Sequence, residues 1–302
     1  MWSDREAQMP SDRYEELARR EGAYWGSIDG DAGAPQIWHD PGLQEIFFGA
    51  EERRFVDRIA ALGPRALELG CGHGELAIAV AERGLEVTAI DLSEERIAGA
   101  RARAPSGNPA FLVGDLNRMR LPDGPFDVVV AHDALHHLVD LDHVLAEVER
   151  VLRPGGALLV YDFRGMGKFW KALSAALYAV LPTRLSYAEK WRLRKGLAAF
   201  LEGERAKRAA LEQGGGAALH PQSPFEGISQ ESIEPAIARR FDVIERREFC
   251  PFFFYLAPKL RLPAGLRLPV ARALRRAEDV LRDLRLARGA YFVMECRRRA
   301  GA

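Results

Sequence analysis

Three carboxylates and one glycine-rich turn carry most of the recognisable chemistry in the first half of this 302-residue chain. Glu68 opens the run Glu68-Leu69-Gly70-Cys71-Gly72-His73-Gly74. Leu67 and Leu69 lead into it, and Leu76, Ile78, Ala79 and Val80 follow at helical spacing, so the stretch reads as strand, tight turn and helix. Glycine in such a turn accepts positive φ and lets a ligand come close to the bare backbone. The helix start behind it turns N–H groups toward a polar ligand. Asp91 closes a second strand, Leu85–Ile90, and an acid there in a doubly wound sheet lies within reach of ribose hydroxyls. Asp115 follows a third strand, 109–113, where Gly114-Asp115 on its own reads only as a turn.

The turn is not a dinucleotide fingerprint, because Glu75 stands where the third glycine would fall. It is not a phosphate loop either, since no Gly-Lys-Ser/Thr follows. Farther along, His132, His136 and His137 follow the fourth strand, Phe126–Ala131, at the carboxyl edge where open sheets bind ligands. A histidine there suits general-base chemistry on a hydroxyl, with His136 the first choice and His137 the second. Packing or backbone roles are the competing reading for the pair. No Cys/His/Asp cluster shows obvious metal-ligand spacing, and no metal is expected.

The elements that must position these groups alternate. A helical pattern over 43–62 stops at Gly63-Pro64, and Ser93 caps a helix with Glu94 and Glu95 in its first turn. The run Phe126–Ala131 is apolar throughout, as suits a strand buried on both faces. A helix over 144–152 ends at Arg153-Pro154-Gly155-Gly156, and 157–161 forms a fifth strand. Five strands alternating with helices predict a parallel, doubly wound α/β sheet.

Together, E-L-G-C-G-H-G, Asp91, G-D-L at 114–116, F-D-V-V at 126–129, H-H-L at 136–138 and L-R-P-G-G at 152–156 resemble class I S-adenosylmethionine-dependent methyltransferases. The resemblance spans roughly residues 43–163. It implies a mostly parallel seven-stranded sheet with helices on both faces, S-adenosylmethionine as cofactor and S-adenosylhomocysteine as product. It assigns the donor site to Glu68, Gly70, Cys71, Gly72, Gly74, Asp91 (ribose), Leu92, Asp115 (adenine amino group), Leu116 (adenine ring) and His132 (methionine end). Residues 241–245 and 291–295 read as the last two strands, but more than forty residues separate them where the family has a short hairpin connection. The expected organisation is an N-terminal arm or lid (1–42), a cofactor-binding core (43–163), a helical insertion or acceptor cap (164–239), and the last two strands with a long basic amphipathic insertion (240–302).

Methyl transfer to a small, hydrophobic acceptor, at oxygen, is the expected function. A cofactor-binding protein that transfers no methyl, or performs another reaction such as a cyclisation, is the alternative. Zero formal net charge gives no drive toward nucleic acid, and 126–134 lacks the N/D-P-P-Y/F motif of amino-methylating nucleic-acid enzymes. A hydrophobic content of 48% supports a sizeable core. Three cysteines do not make a disulfide framework, and Cys71 reads as a small residue filling the turn. The opening residues are polar and no apolar run reaches membrane-spanning length, so the expected location is the cytoplasm. The arginine-laden 266–286 segment fits a helix packing its leucine stripe on the sheet, peripheral membrane contact, or a homodimer interface.

Overall fold

In the computed structural model, residues 11–27, 37, 40–104, 107–183, 185–190 and 223–299 are described. His39, the basic stretch after Lys190, the glycines at 214–216 and His220 lie outside the described residues. Helix α1 (Ser11–Ser27) is followed by α2 (Pro41–Gln44), one π-helical turn (Glu45–Gly49) and α3 (Ala50–Ala60). Then come β1 (Arg65–Leu69), α4 (Glu75–Ala81), β2 (Glu86–Asp91), α5 (Glu94–Arg103), β3 (Ala110–Val113) and β4 (Phe126–His132). The chain continues through α6 (Leu141–Val151), β5 (Leu152–Phe163), α7 (Lys168–Val180), α8 (Ile233–Arg240) and β6 (Phe241–Phe249). It ends with α9 (Phe253–Leu256), α10 (Ala264–Asp283) and β7 (Tyr291–Arg298).

The strands form one seven-stranded sheet in the order β3-β2-β1-β4-β5-β7-β6. Pairing is parallel from β3 to β5, and β7 runs antiparallel between β5 and β6. Both faces of the sheet are covered. One carries Leu43, Phe47, Phe55 and Ile59 against Val128, Val130 and Tyr161. The other carries Leu135, Val144, Leu145 and Val148 against Leu67, Val129 and Val160. This two-sided burial is why the central strands are nearly pure aliphatic.

The strand order reverses between β1 and β4, and the two diverging connections open a crevice at their carboxyl ends. The glycine turn, Asp91, Asp115 and the segment after β4 all lie on that edge. The described parts of the insertions are packed, not appended. Phe252 stacks on Trp170 with ring centroids 4.5 Å apart, and buried Glu278 of α10 accepts the Phe252 amide at 2.8 Å and the Phe253 amide. Ala271 is buried, with Leu268 and Leu274 against the core, while Leu266, Val280, Leu284 and Leu286 stay exposed. Among the described residues no helix is long and apolar enough to cross a membrane.

Candidate active site

The glycine turn is fixed from below. Gly70 and Cys71 donate to the Ile90 carbonyl at 2.8 and 2.9 Å, and Gly74 donates to the Cys71 carbonyl at 2.8 Å. Gly70 has φ +71°, and a Cβ there would lie 2.5 Å from that of Ala134. Gly74 has φ +79°, and a Cβ would lie 2.7 Å from the Phe111 ring. These two glycines therefore answer to packing as much as to a ligand.

Asp91 clamps the turn from its side. One carboxylate oxygen accepts the Gly72 amide at 2.8 Å and the other the Ser93 amide at 2.9 Å. Ser93 itself caps α5 by accepting the Arg96 amide. Asp91 is thus free of the capping task, and each of its oxygens keeps a second lone pair. Asp115 accepts the Tyr14 hydroxyl at 2.7 Å on one oxygen and the Asn117 amide at 3.0 Å on the other. Asn117 in turn accepts the Val139 and Asp140 amides at 2.7 and 3.0 Å, which ties the loop after β3 to the start of α6.

These groups border a cleft of about 690 Å³, open solvent at its mouth included. Of the residues expected at the donor site, Gly70, Asp91, Leu92, Asp115 and Leu116 line it, as does His137. Helix α1 closes one side with Glu21, Gly22 and Trp25, and Phe225 contributes from the far end of the chain.

Other expected residues stand behind the wall. Glu68 is buried beneath the turn, where burial first, then the charges of Glu75 and Asp91, push its carboxyl up to about 8. It is therefore protonated at neutral pH, and one of its oxygens has no partner. Glu68, assigned to the donor site by resemblance, thus stands beneath the turn and behind the residues that line the cleft. Cys71 fills the turn, and burial pushes its thiol well up, which leaves it unreactive. His132 packs between Phe55 and Tyr161, with centroids 5.8 and 4.4 Å away, and burial lowers it to about 4. It does not line the cleft, so the expected methionine-end contact is not direct.

His136 and His137 occupy a single 3₁₀ turn, Leu135–His137, after β4. The Nδ1 of His136 bonds Asp162 at 2.5 Å, and Asp162 also accepts the Leu135 and Phe163 amides. Burial would lower His136, but the Asp162 charge and hydrogen bond, with Glu226 and Asp133 behind them, raise it to about 9. Asp162 thus engages the Nδ1 of His136 and favours its protonated form, which counts against a base role for this ring.

The Nδ1 of His137 bonds Glu21 at 3.0 Å, and Trp25 stands edge-on against its ring. Glu21 further accepts Trp25 Nε1 and Ser223 Oγ, both at 2.8 Å, and the Phe225 amide at 3.0 Å. Burial works to raise the Glu21 carboxyl, yet the bonds from His137, Phe225 and Ser223 leave it below the usual range. Beside the histidines, Asp133 sits at φ +49° with one oxygen buried and unpartnered, and burial, then the Asp162 charge, push it up to about 8.

Sequence reasoning missed Glu21, Trp25, Asp133, Asp162 and Glu226. Asp162 had a signal, being an acid inside the otherwise apolar strand 157–163. Glu21 and Trp25 stand four apart, on one face of a helix. Glu226 had none.

Residues 67–160 match the family model described as a methyltransferase domain. The chain carries a class I S-adenosylmethionine-dependent methyltransferase domain. The chain is 40% identical over 120 residues to a 27-O-demethylrifamycin SV methyltransferase of Amycolatopsis mediterranei, covering 36% of this chain and 44% of that one. It is 37% identical over 126 residues to a demethylmenaquinone methyltransferase of Thermus thermophilus, covering 39% and 57%. The chain spans about half the length of these curated relatives. Its fold matches that of a geranyl diphosphate C-methyltransferase from Streptomyces coelicolor A3(2) with a TM-score of 0.52 at 14% identity, over 94% of this chain and 98% of that one.

Proposed function

We propose that this methyltransferase moves the methyl group of S-adenosylmethionine to a small hydrophobic acceptor, at an oxygen atom. The observation that carries the reading is the pair of carboxylates, Asp91 and Asp115, at the ends of adjacent strands on either side of Leu92 and Leu116 in one cleft. A nucleoside needs that arrangement: an acceptor for ribose hydroxyls, an acceptor for an exocyclic amine, and apolar surface for a ring. When bound, the sulfonium supplies an electrophilic methyl that needs no further activation.

The protein's part is placement. Asp91 holds the ribose end while clamping Gly72, Asp115 and Leu116 hold the base, and α1 covers both through Tyr14 and Trp25. Holding donor and acceptor in line accounts for about 7–11 kcal/mol of barrier. On the acceptor side, His137 lines the cleft with its Nδ1 hydrogen fixed by Glu21, so its Nε2 is the nitrogen that faces a departing proton. A base in that place contributes about 10²–10⁴-fold. Trp25, Leu138 and Phe225 favour an apolar acceptor. Two relatives' names support oxygen: one is a 27-O-demethylrifamycin SV methyltransferase, and a fatty-acid O-methyltransferase of Mycolicibacterium smegmatis is 39% identical over 104 residues.

The test is calorimetric titration with S-adenosylmethionine, S-adenosylhomocysteine and NADH, followed by a screen of hydrophobic hydroxylated acceptors for methylated product. Binding of the first two alone is expected. Absence of binding to both refutes the reading.

A further inference from the structure

The two histidine rings share an arrangement that proton transfer alone does not explain. Each gives its Nδ1 to a buried carboxylate, His136 to Asp162 and His137 to Glu21. Their rings lie 4.1 Å apart between centroids, and both Nε2 atoms turn toward one side chain, Glu226. His136 Nε2 is 3.9 Å from one Glu226 oxygen and His137 Nε2 is 3.6 Å from the other. These distances exceed hydrogen-bond length. The two Nε2 atoms and the Glu226 carboxylate thus face one another across a gap that an ion can fill.

Two imidazole nitrogens and one carboxylate, all within 4.8 Å of one another, are a zinc-type donor set. A tetrahedral ion with bonds of about 2.1 Å sets its ligands about 3.4 Å apart, so the observed spacings close with small side-chain adjustments. The carboxylates behind the imidazoles fit as well, because metal-binding histidines usually donate their other N–H to a carboxylate or carbonyl. Asp162 and Glu21 do this for the two rings in turn. Three carboxylates, Glu21, Asp162 and Glu226, surround only two imidazoles.

We propose that His136, His137 and Glu226 bind a divalent transition metal of the zinc type, whose fourth position opens on the cleft for the acceptor hydroxyl. This deepens the methyl-transfer reading and rests on it for the identity of the fourth ligand. A hydroxyl on such an ion is acidified and sheds its proton to solvent. The oxygen then forms the C–O bond with its own electron pair while the C–S bond breaks and leaves a neutral thioether. His137 would serve as a ligand in place of a base.

The experiment uses the full chain, freed of any purification tag and stripped with chelator. Zn²⁺ is titrated by calorimetry and Co²⁺ by its visible absorption, with S-adenosylhomocysteine titrated on the same preparation. One equivalent of each metal is expected, with intensified bands that mark four-coordinate, nitrogen-bound Co²⁺. Glu226→Gln, a half-exposed change that spares the core, and His137→Ala should each weaken Co²⁺ at least tenfold with S-adenosylhomocysteine affinity kept. Glu21→Gln should weaken it about 10–100-fold. No stoichiometric uptake, or equal uptake by wild type and both ligand variants, overturns the site. S-Adenosylhomocysteine binding without metal uptake removes only the metal. Metal uptake without S-adenosylhomocysteine binding leaves the site standing and removes the methyl-transfer reading.

Discussion

Replacing Asp91 separates a ligand contact from a structural clamp, because the side chain now does visible work for the backbone. It accepts the Gly72 and Ser93 amides at 2.8 and 2.9 Å, and its remaining lone pairs face the cleft. Asp91→Ala orphans two amides at a site that water can reach, so the stability loss sits near the low end of about 1–3 kcal/mol for each. A hydrogen bond from a ribose hydroxyl to a carboxylate contributes about 1.5–3 kcal/mol, which is about a 10- to 150-fold rise in the Kd for S-adenosylhomocysteine. Asp91→Asn is no neutral control, since its amide would face either the Gly72 or the Ser93 donor. The useful control is Ser93→Ala, which costs about 1 kcal/mol of helix cap without touching the ribose position. Calorimetry and thermal melts on all three proteins decide the matter. A folded Asp91→Ala protein with Kd within twofold of wild type refutes the ribose role. So does an equal affinity loss in Ser93→Ala, because the effect would then be loop order.

Glu68→Gln tests a buried proton. The Glu68 carboxyl, held near 8 against about 4.5 unfolded, favours the folded state fully below pH 4.5. That contribution falls by up to about 1.4 kcal/mol per pH unit as pH rises toward 8, so the variant's stability–pH curve between these limits should be flatter by denaturant titration. Parallel curves for the two proteins would contradict it. Gly74→Ala combines a left-handed backbone with a clash on Phe111, and should cost about 2–5 kcal/mol in urea melts. A loss under about 1 kcal/mol would show that Phe111 yields freely. Tyr14→Phe removes the donor that Asp115 now accepts and should lower the melting temperature while S-adenosylhomocysteine affinity holds or rises. A tenfold loss of affinity would make Tyr14 a ligand contact instead.

The part of the cleft built on the glycine turn, Asp91 and Asp115 was readable because its signals are local. An apolar strand, alternate glycines and an acid at the next strand end each sit within a few residues, and backbone geometry does the rest. The part around the histidines was not readable, because its groups are assembled by packing. Sequence places His136 and His137 side by side, but only Asp162 and Glu21, arriving from other elements, decide which ring is committed and which faces the cleft. The N-terminal arm expected over 1–42 gave no sign that it would hold a helix as long as Ser11–Ser27. Its weak apolar stripe hid an anchor that is polar. The π-helical turn at Glu45–Gly49 left no mark in the apolar spacing over 43–62, which suits an unbroken helix equally well.

The polar lock around Glu21 also bears on the order in which the molecule assembles. Its bond to His137 closes a separation of 116 residues, and those to Ser223 and Phe225 close 202 and 204. The pairs β1–β2 and β2–β3 join stretches close in sequence, so their chain-closure entropy is far smaller. Slow, long-range closure follows fast, local pairing. The edge that carries the glycine turn, Asp91 and Asp115 can thus condense before α1 and Phe225 wall the cleft.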